Sequence, residues 1–145
     1  MATQLESEKS KILPFMSDSK GLAPGIEKIL YEGPTATIIV GPADKPTKYV
    51  VPQALLCHRS KFFDRALNGH FKESIEKRIE LPEETTEKFE LFLEWIYCKK
   101  IPCIPDPKGI ETIIKFYIIA DKFDVAGPYE KVEMSLSTIL AKHWY

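Results

Sequence analysis

The stretch "ALLCHRSKFFDRALNGHFKE", residues 54–73, contains several residue types that could do chemistry. Cys57, His58 and Asp64 could supply a nucleophile, its base and an orienting acid, which are the parts that nucleophilic catalysis requires. Cys57 and His58 are adjacent, however, so on a helix their side chains point apart. The chain contains no recognisable catalytic constellation and no glycine-rich phosphate loop. We therefore predict that the protein is not an enzyme and has no catalytic residues.

Zinc is the metal that these residue types could bind. A structural zinc site needs four Cys or His ligands, and its cysteines are paired at short spacings. The chain has three cysteines and three histidines, and only Cys98 and Cys103 have a spacing that resembles such a pair. Cysteine is also among the most frequently buried residue types. We predict packing roles for the cysteines, and we expect neither a metal nor a cofactor.

Length and charge restrict the partners. The chain has 145 residues, which fits one domain, and its 20 basic and 21 acidic residues give a net charge of −1. No Lys/Arg cluster interrupts this balance, so we expect no nucleic acid and no membrane surface as partner. No apolar run approaches the ~20 residues of a membrane span, and the polar N-terminus lacks the apolar core of a signal peptide. We expect a cytoplasmic and/or nuclear protein.

The elements that must position the opening stretch alternate between strands and short helices. "TATIIVG" (35–41) is rich in β-branched residues and predicts a strand, and "KYVV" (48–51) is its antiparallel return. Pro52 suits the first turn of a helix, and Ser60 suits the N-cap of the next helix, which Gly69 ends. "KRIELP" (77–82) alternates apolar and polar residues and predicts a third strand.

Three longer helices follow. "TTEKFELFLEWIYCKKIP" begins at Thr85, and "GIETIIKFYIIADKFD" begins at Gly109; both are apolar on two sides, which predicts central helices. A final amphipathic helix opens after Gly127 and Pro128. The pattern predicts an α+β fold in which a small, mostly antiparallel sheet packs on a cluster of helices. We assign residues 1–24 to a flexible N-terminal tail and residues 25–145 to the domain.

The predicted core consists of the apolar positions that share helix faces. These residues are Leu55, Phe62, Phe63, Leu67, Phe89, Phe92, Trp95, Ile96 and Phe123.

The order of these motifs resembles the BTB/POZ domain, especially the form found in filamentous fungi. The resemblance covers residues 34–142 and rests on "ALLCHRSKFF", "IELP", "FELFLEWIY" and "ADKFD", which stand in the family's order and at its distances. It implies the BTB/POZ fold and a protein–protein interaction module without catalytic activity. Many members of the family self-associate, and many connect a substrate to the cullin scaffold of a ubiquitin ligase.

The cullin adaptors of this family carry a hydrophobic-x-Glu motif after the helix that follows the double phenylalanine. Phe71, Lys72 and Glu73 stand at this place, so the resemblance implies a partner-binding edge for a cullin. The leading hypothesis is a substrate adaptor or scaffold for a cullin-type ubiquitin ligase. The alternative is a transcriptional regulator or oligomerisation module that acts through a corepressor or through self-association.

Two positions depart from the family's usual homodimer. Dimeric members carry His where this chain has Pro52, and Asp where it has Thr35 or Ala36. Because Pro52 and Thr35 replace the usual charged pair, a homodimer of the usual type is doubtful.

Overall fold

The computed structural model of the protein describes residues 11–17, 32–70, 72–101, 107–125 and 127–144. The described residues form three strands and seven helices. In chain order these are α1 (Pro14–Ser17), β1 (Thr35–Val40), β2 (Thr47–Pro52), α2 (Gln53–Arg59), α3 (Lys61–Asn68), α4 (Lys72–Glu76), β3 (Arg78–Leu81), α5 (Thr86–Cys98), α6 (Pro107–Lys122) and α7 (Tyr129–Trp144).

The three strands form one sheet in the order β2-β1-β3. β1 pairs antiparallel with β2, so that Ile38 lies opposite Tyr49, and it pairs parallel with β3, so that Ile38 lies opposite Ile79. The sheet is therefore mixed: its longer pairing, between β1 and β2, is antiparallel, and β3 adds a parallel pairing. Strand β2 and helices α2, α3 and α4 separate β1 from β3 along the chain. This connection is long enough for the two strands to pair parallel, which a short hairpin does not allow.

The alternation along β1 and β2 explains which face of the sheet is buried. Ala36, Ile38 and Val40 on β1 are buried, as are Tyr49 and Val51 on β2, because successive side chains of a strand point to opposite faces. Gly41 ends β1 with a φ of 102°, a conformation that residues with a Cβ rarely adopt. Pro52 is the last residue of β2 and precedes α2, so the helix begins one residue later than the sequence predicts.

The helices bury their aromatic residues against this face. Eight of the nine residues predicted as core are buried, and Phe62 is half-buried at the margin. The ring centroids of Phe63 and Phe92 are 5.5 Å apart, and those of Phe63 and Phe123 are 5.0 Å apart. One aromatic cluster thus connects α3, α5 and the end of α6.

Helix α6 departs from the prediction that both of its apolar sides are buried. Phe116, Ile119 and Ala120 face the core, whereas Ile114 is 49% and Tyr117 46% exposed. Among the described residues, α7 packs on this second side and covers it in part.

Residues 11–17, which the sequence assigns to the N-terminal tail, contact the folded domain. The Lys11 N–H donates to the Lys48 carbonyl at 2.9 Å, the Lys11 ammonium pairs with Glu90, and Phe15 lies 5.5 Å from the ring of Tyr97. These contacts attach the segment to the open edge of β2 and to α5. The proposed boundary between residues 24 and 25 lies outside the described residues and stays a prediction.

None of the helices described for this chain combines the length and the apolar character that a membrane span requires.

Candidate interaction surface

Ser60 positions the double phenylalanine of the opening stretch. It lies between α2 and α3, and its hydroxyl accepts a hydrogen bond from the Phe63 N–H at 3.2 Å, which caps α3. The same hydroxyl donates to the Phe123 carbonyl at 2.6 Å. Helix α3 is thereby oriented with Phe63 facing into the core, and its polar face is left for solvent.

The environment of Cys57 does not favour a reactive thiol. Burial, followed by the nearby charge of Asp64, raises the pKa of Cys57 above its usual value, so the thiol is held in its unreactive protonated form. Asn68 donates to the Cys57 sulfur at 3.4 Å and to Asp64 Oδ1 at 2.7 Å, so both groups have a structural partner. His58 is exposed. Cys57 and Asp64 are thus connected through Asn68, and the exposed His58 is not part of this contact.

The described residues contain no group of three or more His, Cys, Asp and Glu side chains that could hold a metal ion. Burial raises the pKa of Cys98, which fits a packed thiol. Cys103 and the side chain of His143 lie outside the described residues.

The predicted partner-binding edge lies at the beginning of α4. Lys72 and Glu73 form its first turn and are exposed, and Lys72 pairs with Glu76 at 3.7 Å. Phe71 lies outside the described residues. Lys72 and Glu73 thus belong to a short helix in the segment that connects α3 to β3. A five-residue helix is marginal alone, so tertiary contacts must hold it.

The turn after α4 holds the edge against α3. Lys77 adopts a φ of 53°, and its ammonium donates to the carbonyl of Leu67 near the end of α3 at 2.8 Å. Positive φ is uncommon outside glycine, and this hydrogen bond helps to offset its cost. This hydrogen bond therefore fixes the position of the turn between α4 and β3.

A groove of about 490 Å³ lies between α4 and β3. Phe62 and Ala66 of α3 form its apolar floor, and the charged side chains of α4 and β3 form its rim. The remaining lining residues are Lys72, Glu73, Glu76, Arg78, Ile79, Glu80, Leu81 and Pro82. An apolar floor with a charged rim is the arrangement that protein interfaces commonly show.

Thr35 and Pro52 lie directly opposite each other at the ends of β1 and β2. The two positions that depart from the usual charged pair are therefore neighbours, and neither residue can carry a charge. The Pro34 carbonyl beside them accepts a hydrogen bond from the Gln53 N–H at 3.0 Å.

A second groove, of about 430 Å³, lies between α6 and α7 and is almost wholly apolar. It includes Ile114, Tyr117 and Tyr129, and the rings of the two tyrosines are 5.5 Å apart. Sequence reasoning missed this surface because it assigned both apolar sides of α6 to the core. The available signal was that α6 carries more apolar residues than one amphipathic neighbour can cover.

Comparison with protein families identifies this fold. The family model of the BTB/POZ domain matches residues 35–140, from the first residue of β1 to near the end of α7. No similar protein was found among proteins with curated descriptions.

Proposed function

The chain belongs to the BTB/POZ domain family, and from that membership we propose that it is a non-enzymatic substrate adaptor or scaffold of a cullin-type ubiquitin ligase. BTB/POZ domains are protein–protein interaction modules, so the protein acts by binding other proteins. Beyond this general role, we propose a cullin as the partner and the cytoplasm and/or nucleus as the location.

One observation carries the choice of a cullin. The hydrophobic-x-Glu motif of Phe71, Lys72 and Glu73 leads into α4, where Glu73 is exposed beside the groove with the apolar floor. An exposed acid next to an apolar anchor fits a partner that offers an apolar pocket and hydrogen-bond donors close together. The end of a partner helix provides such donors, because its first N–H groups lack partners within the helix.

Phe71 and Glu73 take different roles in this proposal. Phe71 inserts its ring into an apolar pocket of the cullin, and Glu73 accepts hydrogen bonds beside it. Buried aromatic anchors near the centre of an interface cost ~2–4 kcal/mol when truncated, whereas charges at the rim cost much less. Lys72 points its charge to the rim and makes an ion pair within α4.

The test is calorimetry with the N-terminal fragment of a cullin from the same organism. We expect Phe71→Ala to weaken binding by well over tenfold, Glu73→Ala by less, and Lys72→Ala, the matched control on the same turn, hardly at all. Melting curves of all three variants should match that of the parent protein.

The opposite pattern would remove the adaptor proposal. If the parent protein has no affinity for the cullin and Phe71→Ala lowers the melting temperature, Phe71 is a core residue. The alternative function, a transcriptional regulator or oligomerisation module, would then be the better hypothesis.

A further inference from the structure

Strand β3 leaves one side of its backbone open in the described part of the chain. The Thr37 N–H donates to the Lys77 carbonyl at 2.8 Å, and the Gly41 N–H donates to the Leu81 carbonyl at 3.1 Å. In a parallel ladder alternate residues face the neighbouring strand, so residues 77, 79 and 81 face β1. The N–H and C=O groups of Arg78 and Glu80 therefore point away from β1, toward the open edge of the sheet.

The side chains of the same two residues carry opposite charges on one face. Arg78 and Glu80 are both exposed, they are two residues apart, and so they project from the outer face of the sheet. Their side chains approach each other at 3.5 Å within the strand. The groove of about 490 Å³ lies beside β3, and all four residues of the strand line it.

We propose that two copies of the chain associate by antiparallel pairing of their β3 strands about a twofold axis through Ile79. Arg78 of each copy then lies opposite Glu80 of the other copy. Both positions have outward-facing backbone groups, so each forms a hydrogen-bonded pair, and the two pairs together make four hydrogen bonds. The three-stranded sheets join into one sheet of six strands.

The charges select this register. Shifting the pairing by two residues in one direction places Arg78 opposite Arg78. Shifting it in the other direction places Glu80 opposite Glu80. Like charges that lie directly opposite are destabilising, whereas opposite charges are stabilising. Charged residues usually protect an edge strand from association, but the alternating signs of β3 make this edge complementary to itself.

The contact is small, so the dimer is weak. Four residues of strand per copy bury far less than the ~1,000 Å² of a stable interface. We expect a dissociation constant on the order of 0.1 mM, because little of the interaction energy remains after the cost of association. The inference goes beyond the adaptor proposal and does not depend on it, and it uses neither Thr35 nor Pro52.

Sedimentation equilibrium of the full chain, from 10 μM to about 1 mM, tests the charge pairing. Arg78→Glu and Glu80→Arg each place like charges opposite each other, so each variant alone should associate at least tenfold more weakly than the parent protein. An equal mixture of the two variants restores both opposite-charge pairs and should dimerise as the parent does. The mixture cannot restore the ion pair within each strand, so recovery identifies the pairing between copies.

Glu80→Pro and Glu80→Ala test the backbone pairing. Both variants remove the charge, but only proline removes the outward N–H, and proline is tolerated on an edge strand. We expect Glu80→Ala to weaken association several-fold and Glu80→Pro to leave a monomer, with similar melting temperatures.

Three results would overturn the proposal. They are a parent protein that stays monomeric at 1 mM, a variant mixture that associates no better than its components, and equal association of Glu80→Pro and Glu80→Ala.

Discussion

At the scale of single residues, Ser60 contributes more than a helix cap. Its hydroxyl is buried, and it accepts from the Phe63 N–H while it donates to the Phe123 carbonyl. The backbone reinforces this junction, since the Lys61 N–H donates to the Asp124 carbonyl at 3.2 Å. One small side chain thus connects α3 to the segment that follows α6.

Replacing Ser60 by Ala should cost more than replacing an ordinary cap. Ser60→Ala leaves a buried N–H and a buried carbonyl without this partner, and we expect a loss of ~2 kcal/mol of unfolding free energy. Thr85, which caps α5 through a 3.3 Å hydrogen bond from the Lys88 N–H, is exposed, and Thr85→Ala should cost ~1 kcal/mol or less. Urea denaturation measures both values, and equal losses would contradict the double role of Ser60.

At the scale of elements, one hydrogen bond connects the sheet to α5. The Tyr49 hydroxyl on β2 donates to Glu90 of α5 at 2.8 Å, and Glu90 also pairs with Lys11. The Tyr49 ring lies 5.0 Å from the ring of Phe89. Burial first, and then the hydrogen bond to Glu90, raise the pKa of Tyr49 above its ordinary value of 10.0.

This shift predicts a loss of stability in alkaline solution. Folding holds the phenol protonated, so the contribution is complete below pH 10, where the unfolded chain also keeps the proton. Above pH 10 the unfolded chain releases the proton first, and stability falls by up to about 1.4 kcal/mol per pH unit. Tyr49→Phe cannot titrate.

The measurement compares unfolding free energies of the parent and Tyr49→Phe from pH 8 to pH 11.5. We expect the parent to be the more stable below pH 10, because it keeps the hydrogen bond to Glu90, and its advantage to shrink above pH 10. An advantage that stays constant across the range would show that Tyr49 has an ordinary pKa in the folded state.

At the scale of the whole molecule, the aromatic cluster packs together segments that are distant in the sequence, so the stability of each segment depends on the others. Phe63, Phe92 and Phe123 are fully buried, and their ring centroids lie 5.0 to 5.5 Å apart although their positions span most of the domain. Removing one ring leaves a cavity between these segments, and no single segment can move to fill it without disturbing its packing against the others.

Phe63→Ala and Phe92→Ala should each cost ~3–5 kcal/mol, a large part of the ~5–15 kcal/mol that stabilises a domain. Ile75→Ala is the control, because Ile75 is 84% exposed and its loss should change stability by less than ~0.5 kcal/mol. Thermal melting ranks the three variants. A melting temperature that barely moves in both phenylalanine variants would contradict this core.

The sequence predicted the elements well where a local pattern had one solution. Alternation placed Ile79 and Leu81 on the buried face of β3, and the caps Ser60 and Thr85 marked the starts of α3 and α5. It failed at Ile114 and Tyr117 of α6, because a residue's apolar character does not state how much neighbouring surface is available to cover it. The partner-binding edge at residues 71–73 stays a prediction.

The sequence by itself determined the class of fold and the aromatic core, because periodicity, capping and turn residues act within a few positions along the chain. The family followed from a resemblance in the order and spacing of its motifs. Only the tertiary structure decided the parallel entry of β3, the outward direction of the Arg78 and Glu80 backbone, and the attachment of residues 11–17 to β2. These features depend on which segments become neighbours. Neighbours in space are set by how the whole chain buries its apolar faces, and no short pattern encodes that.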